Sequence, residues 1–205
     1  MNPLAEFAPH AIVVIAYLLG SIPFGLVLAR LVGGVDIRNQ GSGNIGATNV
    51  LRSVGKKIGA LALILDMIKG TIPVVVALFL FEPPSIIPAL TGLAAFLGHL
   101  FPLYLKFKGG KGVATGLGIF FALSPITGGV AVVAWLGSAV IFRFSSASSL
   151  AAFAVMPITL TVLGDTNALM VSAVTTPLVF WRHRPNIKRL LEGTEPRIGK
   201  KGPPP

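Results

Sequence analysis

The chain has 205 residues, of which 53% are hydrophobic and only 12% charged, and its mean hydropathy is +0.81. A soluble domain carries about 25% charged residues, so a water-soluble enzyme and a disordered chain are both excluded, and an integral membrane protein remains. The net charge of +10 then poses a question of sidedness rather than of nucleic-acid binding. The absence of Cys rules out disulfide and thiolate chemistry.

Residues 11–29 carry no charge and predict a retained first span, kinked at Pro23. A polar, glycine-rich segment follows at 30–57. Residues 58–81 predict a second span, interrupted by Asp66 and Lys69, and 85–105 a third, containing His99. A compact basic loop occupies 106–112. The charge-free stretch 113–142 would reach about 45 Å as one helix, beyond a hydrocarbon core of about 30 Å. Ser124-Pro125 divides it into a short span, 113–123, and a full one, 126–142. Two more apolar runs, 147–163 and 166–181, lie either side of Gly164-Asp165. The basic C-terminal segment ends in a tail, 199–205, expected to be disordered.

This reading predicts an all-α polytopic protein of about seven spans, forming one membrane-embedded domain over 1–205. With seven spans, 16 of the 17 Lys and Arg fall on one side, Lys69 being the exception. That asymmetry places the basic side in the cytoplasm, the N-terminus outside and the C-terminus inside.

The candidate chemistry lies in the cytoplasmic segments. Gly41, Gly43 and Gly46 spell GxGxxG, but no strand precedes them and Asp66 lies within a span, so a dinucleotide fold is rejected. What remains is a set of anion donors: N–H groups at Gly41 and Gly43, the side chains of Ser42, Asn44 and Thr48, and the guanidinium of Arg52. The second constellation is Lys108, Gly109, Gly110, Lys111 and Gly112, running into the span that starts at Val113. Glycine N–H groups, two ammonium groups and a helix N-terminus suit a phosphate there, although no Walker A pattern is present. Gly112 and Gly116 form a GxxxG step suited to helix packing.

In the third constellation, Trp181 suits the membrane interface, and His183 and Asn186 are candidates for proton transfer or oxyanion binding. Lys188, Arg189, Lys200 and Lys201 are expected to face lipid headgroups. Asp66 and Lys69 share a helix face, as a structural pair or a site wall. With three His far apart, no metal site is expected, and no cofactor.

Five segments together resemble one family: GSIPFG at 20–25, GSGNIGATNVLR at 41–52, LDMIKG at 65–70, GHLFPLYLKFKGGKGVAT at 98–115 and WRHRPNIKRLLEGTE at 181–195. It is the bacterial acyl-phosphate:glycerol-3-phosphate acyltransferase family of the cytoplasmic membrane. The resemblance implies transfer of a fatty acyl group from acyl phosphate to the 1-hydroxyl of glycerol 3-phosphate, giving lysophosphatidic acid for phospholipid synthesis. It implies functional roles for Ser42 and Arg52, glycerol-phosphate binding by Lys108–Gly112, a requirement for His183 and Asn186, and a structural role for Glu195. The base is left open between His183 and the substrate's own phosphate. The HxxxxD motif of a different acyltransferase class is absent, since Ile15, Tyr104 and Lys188 stand where its Asp would be. A transporter of phosphorylated metabolites is the alternative, suggested by intramembrane Asp66 and Lys69 and the broken span.

Overall fold

The computed structural model describes residues 3–199, with side chains from Phe7 onward. The expected disordered tail lies outside the described residues, apart from Gly199. Ten α-helices run in chain order: α1 (Pro3–Gly20), α2 (Phe24–Gly33), α3 (Ala47–Ser53), α4 (Lys56–Leu80), α5 (Ile87–Leu100), α6 (Val113–Leu123), α7 (Pro125–Phe142), α8 (Ser145–Leu163), α9 (Thr166–Arg182) and α10 (Arg184–Leu191). No strand occurs among the described residues.

The first span differs from the expected kinked helix, because the chain breaks fully between α1 and α2 at Ser21-Ile22-Pro23. Pro23 has no N–H with which to continue the helix. The carbonyls at the break find other donors: Leu19 O, which an N–H at position 23 would have met, accepts from Ile22 N–H at 3.1 Å, and Ile22 O accepts from Lys69 Nζ at 2.7 Å. The break between α6 and α7 falls at Ser124-Pro125, as expected, and Ser124 Oγ lies 2.9 Å from Thr127 Oγ1.

Among the described residues, five segments are long and apolar enough to cross a membrane: Phe7–Gly33 (counted through its break), Lys56–Leu80, Ile87–Leu105, Pro125–Phe142 and Ser145–Leu163. α6 is a shorter apolar helix, and α9 has 17 residues. Their surfaces are inverted relative to a soluble protein. Phe79, Val140 and Val162 point outward, whereas Thr91, Thr115, Ser148, Ser172 and Thr175 are fully buried. In lipid, helices associate through small and hydroxylic residues rather than through large aliphatic ones.

Two apolar clusters set the architecture. The larger is centred on Phe96, Phe120, Phe153, Ile119, Met156 and Leu160, with the Phe96 and Phe153 rings 6.5 Å apart. Close backbone approach is provided by Gly20 and Gly98 between α1 and α5, and by Gly70 and Gly118 between α4 and α6. Gly112 and Gly116, expected as a helix-packing step, pack α6 against its neighbours by admitting the rings of Phe96 on α5 and Phe153 on α8. The smaller cluster, Leu26, Ala29, Ile37, Ile45, Val50 and Ala62, seats α2, α3 and the glycine-rich segment between them on α4. It therefore carries the first of the candidate phosphate loops.

Candidate active site

Asn49 organises the first loop. Its buried amide Nδ2 donates to Ile37 O at 2.9 Å, Gln40 O at 3.0 Å and Asn44 O at 2.9 Å, while its Oδ1 accepts from Ser42 N–H at 3.1 Å. Asn44 Oδ1 accepts from Gly46 N–H at 2.8 Å, and Gln40 O from Gly43 N–H at 2.9 Å. Gly41 and Gly43 have φ of +57° and +68°, the left-handed region that glycine enters without a Cβ penalty. Of the two glycine N–H groups expected to face an anion, that of Gly43 is thus used within the loop, as are those of Ser42 and Gly46. What the loop presents outward is the Ser42 side chain and the exposed Arg52. Arg30 and Arg38 are both bound to Asp36 at 2.6 Å. Thr48 Oγ1 lies 3.3 Å from Ser145 Oγ, tying the loop to the start of α8.

The Lys108–Gly112 loop folds back on the end of α5. Gly109 N–H donates to Leu100 O at 3.2 Å and Gly110 N–H to His99 O at 3.1 Å. Both satisfy carbonyls that a helix C-terminus leaves free, so neither N–H points at a ligand. The two glycines are needed for close approach instead. A Cβ on Gly109 would meet the His99 and Leu100 carbonyls, and one on Gly110 would meet the His99 ring. Gly112, with φ of +84°, turns the chain into α6. Arg182 binds the loop from above, donating from Nε to Gly110 O at 2.9 Å and from Nη2 to Gly109 O. Lys108 is exposed, whereas Lys111 reaches inward and its Nζ donates to Asn186 Oδ1.

The end of α9 and the start of α10 complete the arrangement. Asn186 Nδ2 donates to Glu195 Oε1 at 2.7 Å, which also accepts from Ser146 Oγ at 2.6 Å. Arg189 Nε donates to Glu195 Oε2 at 2.7 Å. Arg189, expected at the lipid surface, is therefore committed to the buried Glu195, because a buried carboxylate needs donors on both oxygens. Lys188 is exposed, 3.8 Å from Glu192; Lys200 and Lys201 lie outside the described residues.

Electrostatics follow from these contacts. Burial pushes the Lys111 ammonium down to about 8; Glu195 opposes this, and the charges of Arg189, Arg52 and Arg182 add to it. That coupling brings Arg52 of the first loop into one field with Lys111. Burial and then the Lys111 charge lower His183 to about 4, against the opposing effects of its Val179 hydrogen bond and Glu195. His183 Nδ1 lies 2.8 Å from Val179 O, which can only accept. The ring is thus neutral near pH 7, protonated at Nδ1, with its lone pair on Nε2. Burial works to raise Glu195, but the hydrogen bonds from Ser146, Asn186 and Arg189 outweigh it and hold the carboxylate below its ordinary range.

Asp66 and Lys69 form a buried pair with Nζ 2.7 Å from Oδ1. Lys69 also takes Ile22 O, so the pair anchors the break between α1 and α2 and is a structural device. Arg182, Asn49, Ser146 and Arg189 were absent from the sequence-derived site. Arg182 and Asn49 stood inside the motifs, but nothing local marks which Arg or Asn will meet several carbonyls.

The glycerol-3-phosphate acyltransferase family model matches residues 10–193. The chain belongs to the glycerol-3-phosphate acyltransferase family. Relatives of that name include one from Methylorubrum extorquens (strain PA1), 50% identical over 192 residues and 94% of both chains. Another, from Sinorhizobium fredii (strain NBRC 101917 / NGR234), is 53% identical over 186 residues, covering 91% of this chain and 90% of the relative. Two crystal structures of PlsY, an integral membrane glycerol 3-phosphate acyltransferase, share the fold. The glycerol 3-phosphate form superposes with a TM-score of 0.90 at 47% identity, and the lysophosphatidic acid form with 0.88 at 46%. Each match covers 94% of this chain and 96% of the other. The acyltransferase reading therefore stands over the transporter alternative, and the fold is that of a multi-span integral membrane protein.

Proposed function

We propose that the chain transfers a fatty acyl group from acyl phosphate to the 1-hydroxyl of glycerol 3-phosphate, releasing lysophosphatidic acid and phosphate. The observation that carries this reading is that Lys111, held by the Asn186–Glu195 hub, lies within the electrostatic reach of both Arg52 and the neutral His183. Two phosphate-bearing substrates repel one another in water, and a cationic site removes that barrier to their encounter. Lys108 and Lys111 take the glycerol phosphate, and Ser42 and Arg52 take the phosphate of the donor.

The glycerol hydroxyl oxygen attacks the acyl carbonyl carbon. The bond from that carbon to the phosphate oxygen breaks, and phosphate leaves with the electron pair. His183 Nε2 accepts a hydrogen bond from the attacking hydroxyl and orients it. With His183 lowered to about 4, the phosphate oxygen is the stronger base and takes up the proton. The acyl phosphate is already activated, so positioning and charge stabilisation suffice and no acyl-enzyme forms.

The same reading makes the chain a single catalytic unit of seven spans in the bacterial inner membrane, with its N-terminus outside and its C-terminus cytoplasmic. It is supported by the one-sided distribution of Lys and Arg. The test is purified protein in detergent, given acyl phosphate and glycerol 3-phosphate with EDTA present. Lysophosphatidic acid and phosphate should appear in equal amounts, and denatured protein should carry no acyl label. Absence of product refutes the transfer, and a kinetically competent acyl-protein refutes direct attack.

A further inference from the structure

We infer that His99 is a positioning residue for glycerol 3-phosphate binding: its imidazole is the wedge that sets the conformation of the segment carrying Lys111. This rests on the functional reading above. The segment from Gly110 to Thr115 turns out of the phosphate loop and into the first turn of α6, with Lys111 near its start. One buried ring touches both ends of that segment. Nδ1 lies 3.2 Å from Thr115 Oγ1 on α6. On the opposite edge, Nε2 occupies the space that a Cβ on Gly110 would need, and such a Cβ would also lie 3.0 Å from both ring carbons flanking Nε2.

The backbone of the same residue supplies a third contact, since His99 O accepts Gly110 N–H at 3.1 Å. From the other side, Arg182 Nε takes Gly110 O at 2.9 Å. Gly110 is thus gripped at its N–H, its carbonyl and its α-carbon, and the next residue is the lysine that reaches Asn186. The ring itself is held by Thr115; Asp66 Oδ1 is 3.8 Å from Nδ1, beyond hydrogen-bond reach, and 2.7 Å from Lys69 Nζ. Close packing of this kind transmits a small displacement without absorbing it. A ring of another shape would move Gly110, and with it the direction in which Lys111 leaves the loop. His99 lies behind the loop and takes no part in the reaction.

A double-substitution cycle tests this, with His99→Ala, Gly110→Ala and the pair together, read as KM for glycerol 3-phosphate, kcat and Tm. Gly110→Ala should raise KM by about tenfold through collision with the ring, and His99→Ala by about threefold to tenfold through loss of the wedge. In both, kcat should stay within about twofold. The diagnostic result is the pair. Removing the ring makes room for the new methyl, so His99→Ala/Gly110→Ala should show a lower KM and a higher Tm than Gly110→Ala alone. His99→Asn/Gly110→Ala, which keeps a polar group towards Thr115, should show the same rescue. KM effects that multiply, or Tm losses that add in both pairs, overturn the proposal. So does His99→Ala lowering kcat with KM unchanged, the signature of a merely structural histidine. Failure of the unsubstituted protein to make lysophosphatidic acid would instead refute the function, and the Tm arm of the cycle would still decide the contact.

Discussion

Replacing Glu195 with Gln removes one negative charge while keeping the side chain's shape, and the structure says where the loss is felt. Lys111 reaches Glu195 through the Asn186 amide, by two hydrogen bonds in series. The separation is about 7 Å for two such bonds joined through an amide. At an effective dielectric near ~20 the attraction across it is about 2 kcal/mol, equivalent to about one to two pH units in the ionisation of Lys111. The direction is fixed by the charges: Glu195 favours the ammonium form, so its removal lowers the Lys111 pKa below about 8. In the unsubstituted protein, kcat/KM for glycerol 3-phosphate should therefore fall above about pH 8, as the ammonium proposed to bind phosphate is lost. In Glu195→Gln the fall should begin about one to two pH units lower, giving about a tenfold loss of kcat/KM at pH 8. The loss should shrink towards pH 6. Initial rates of lysophosphatidic acid formation across pH 5.5–9.5, with Tm measured in the same detergent, make the assay. A folded Glu195→Gln protein whose alkaline limb does not move would refute the argument that Glu195 sustains the charge on Lys111.

Other expectations follow from the same contacts. His183 is lowered to about 4, hence neutral above that pH, so kcat/KM should show no acid limb from His183 near pH 6.5; a limb there that vanishes in His183→Gln but persists with other substitutions would contradict it. Asn49→Ala removes four hydrogen bonds; Ile37 O and Gln40 O keep the N–H groups of Gln40 and Gly43, but Asn44 O and Ser42 N–H lose theirs, which should cost about 2–4 kcal/mol. Chemical denaturation should show it, and an unchanged midpoint would remove Asn49 from the centre of the loop. Lys69→Met strands the Asp66 charge and leaves the Ile22 carbonyl with only the Phe24 N–H, and should destabilise by about 3–5 kcal/mol. Asp66→Asn/Lys69→Met should recover part of that loss, because the stranded charge is gone. Equal or greater loss in the pair would show that Asp66 has other support.

The membrane class is legible in the sequence because it depends on sums along the chain. Transfer of apolar surface into lipid is nearly additive, so a run such as 126–142 declares itself without reference to its neighbours. Local rules reached nearly as far: Ser124-Pro125 ends one helix and begins another, as expected. At Pro23 the same rule predicted a kink and met a full break, because Lys69, 47 residues away, was there to take the freed Ile22 carbonyl.

The motifs likewise marked the segments that the fold brings together, but not what each of their groups touches. The glycines at 43, 109 and 110 read as anion donors, yet their N–H groups are spent on carbonyls of the loop and of α5. Arg189 read as a headgroup contact and is held by Glu195. A donor's use depends on which acceptor lies within about 3 Å of it, and that is a property of packing. Sequence alone determined what kind of solvent surrounds this protein and which segments carry its charge. Only the tertiary structure decided which of those charges are consumed in holding the fold, as Arg189 is on Glu195, and which, like Arg52, stay exposed.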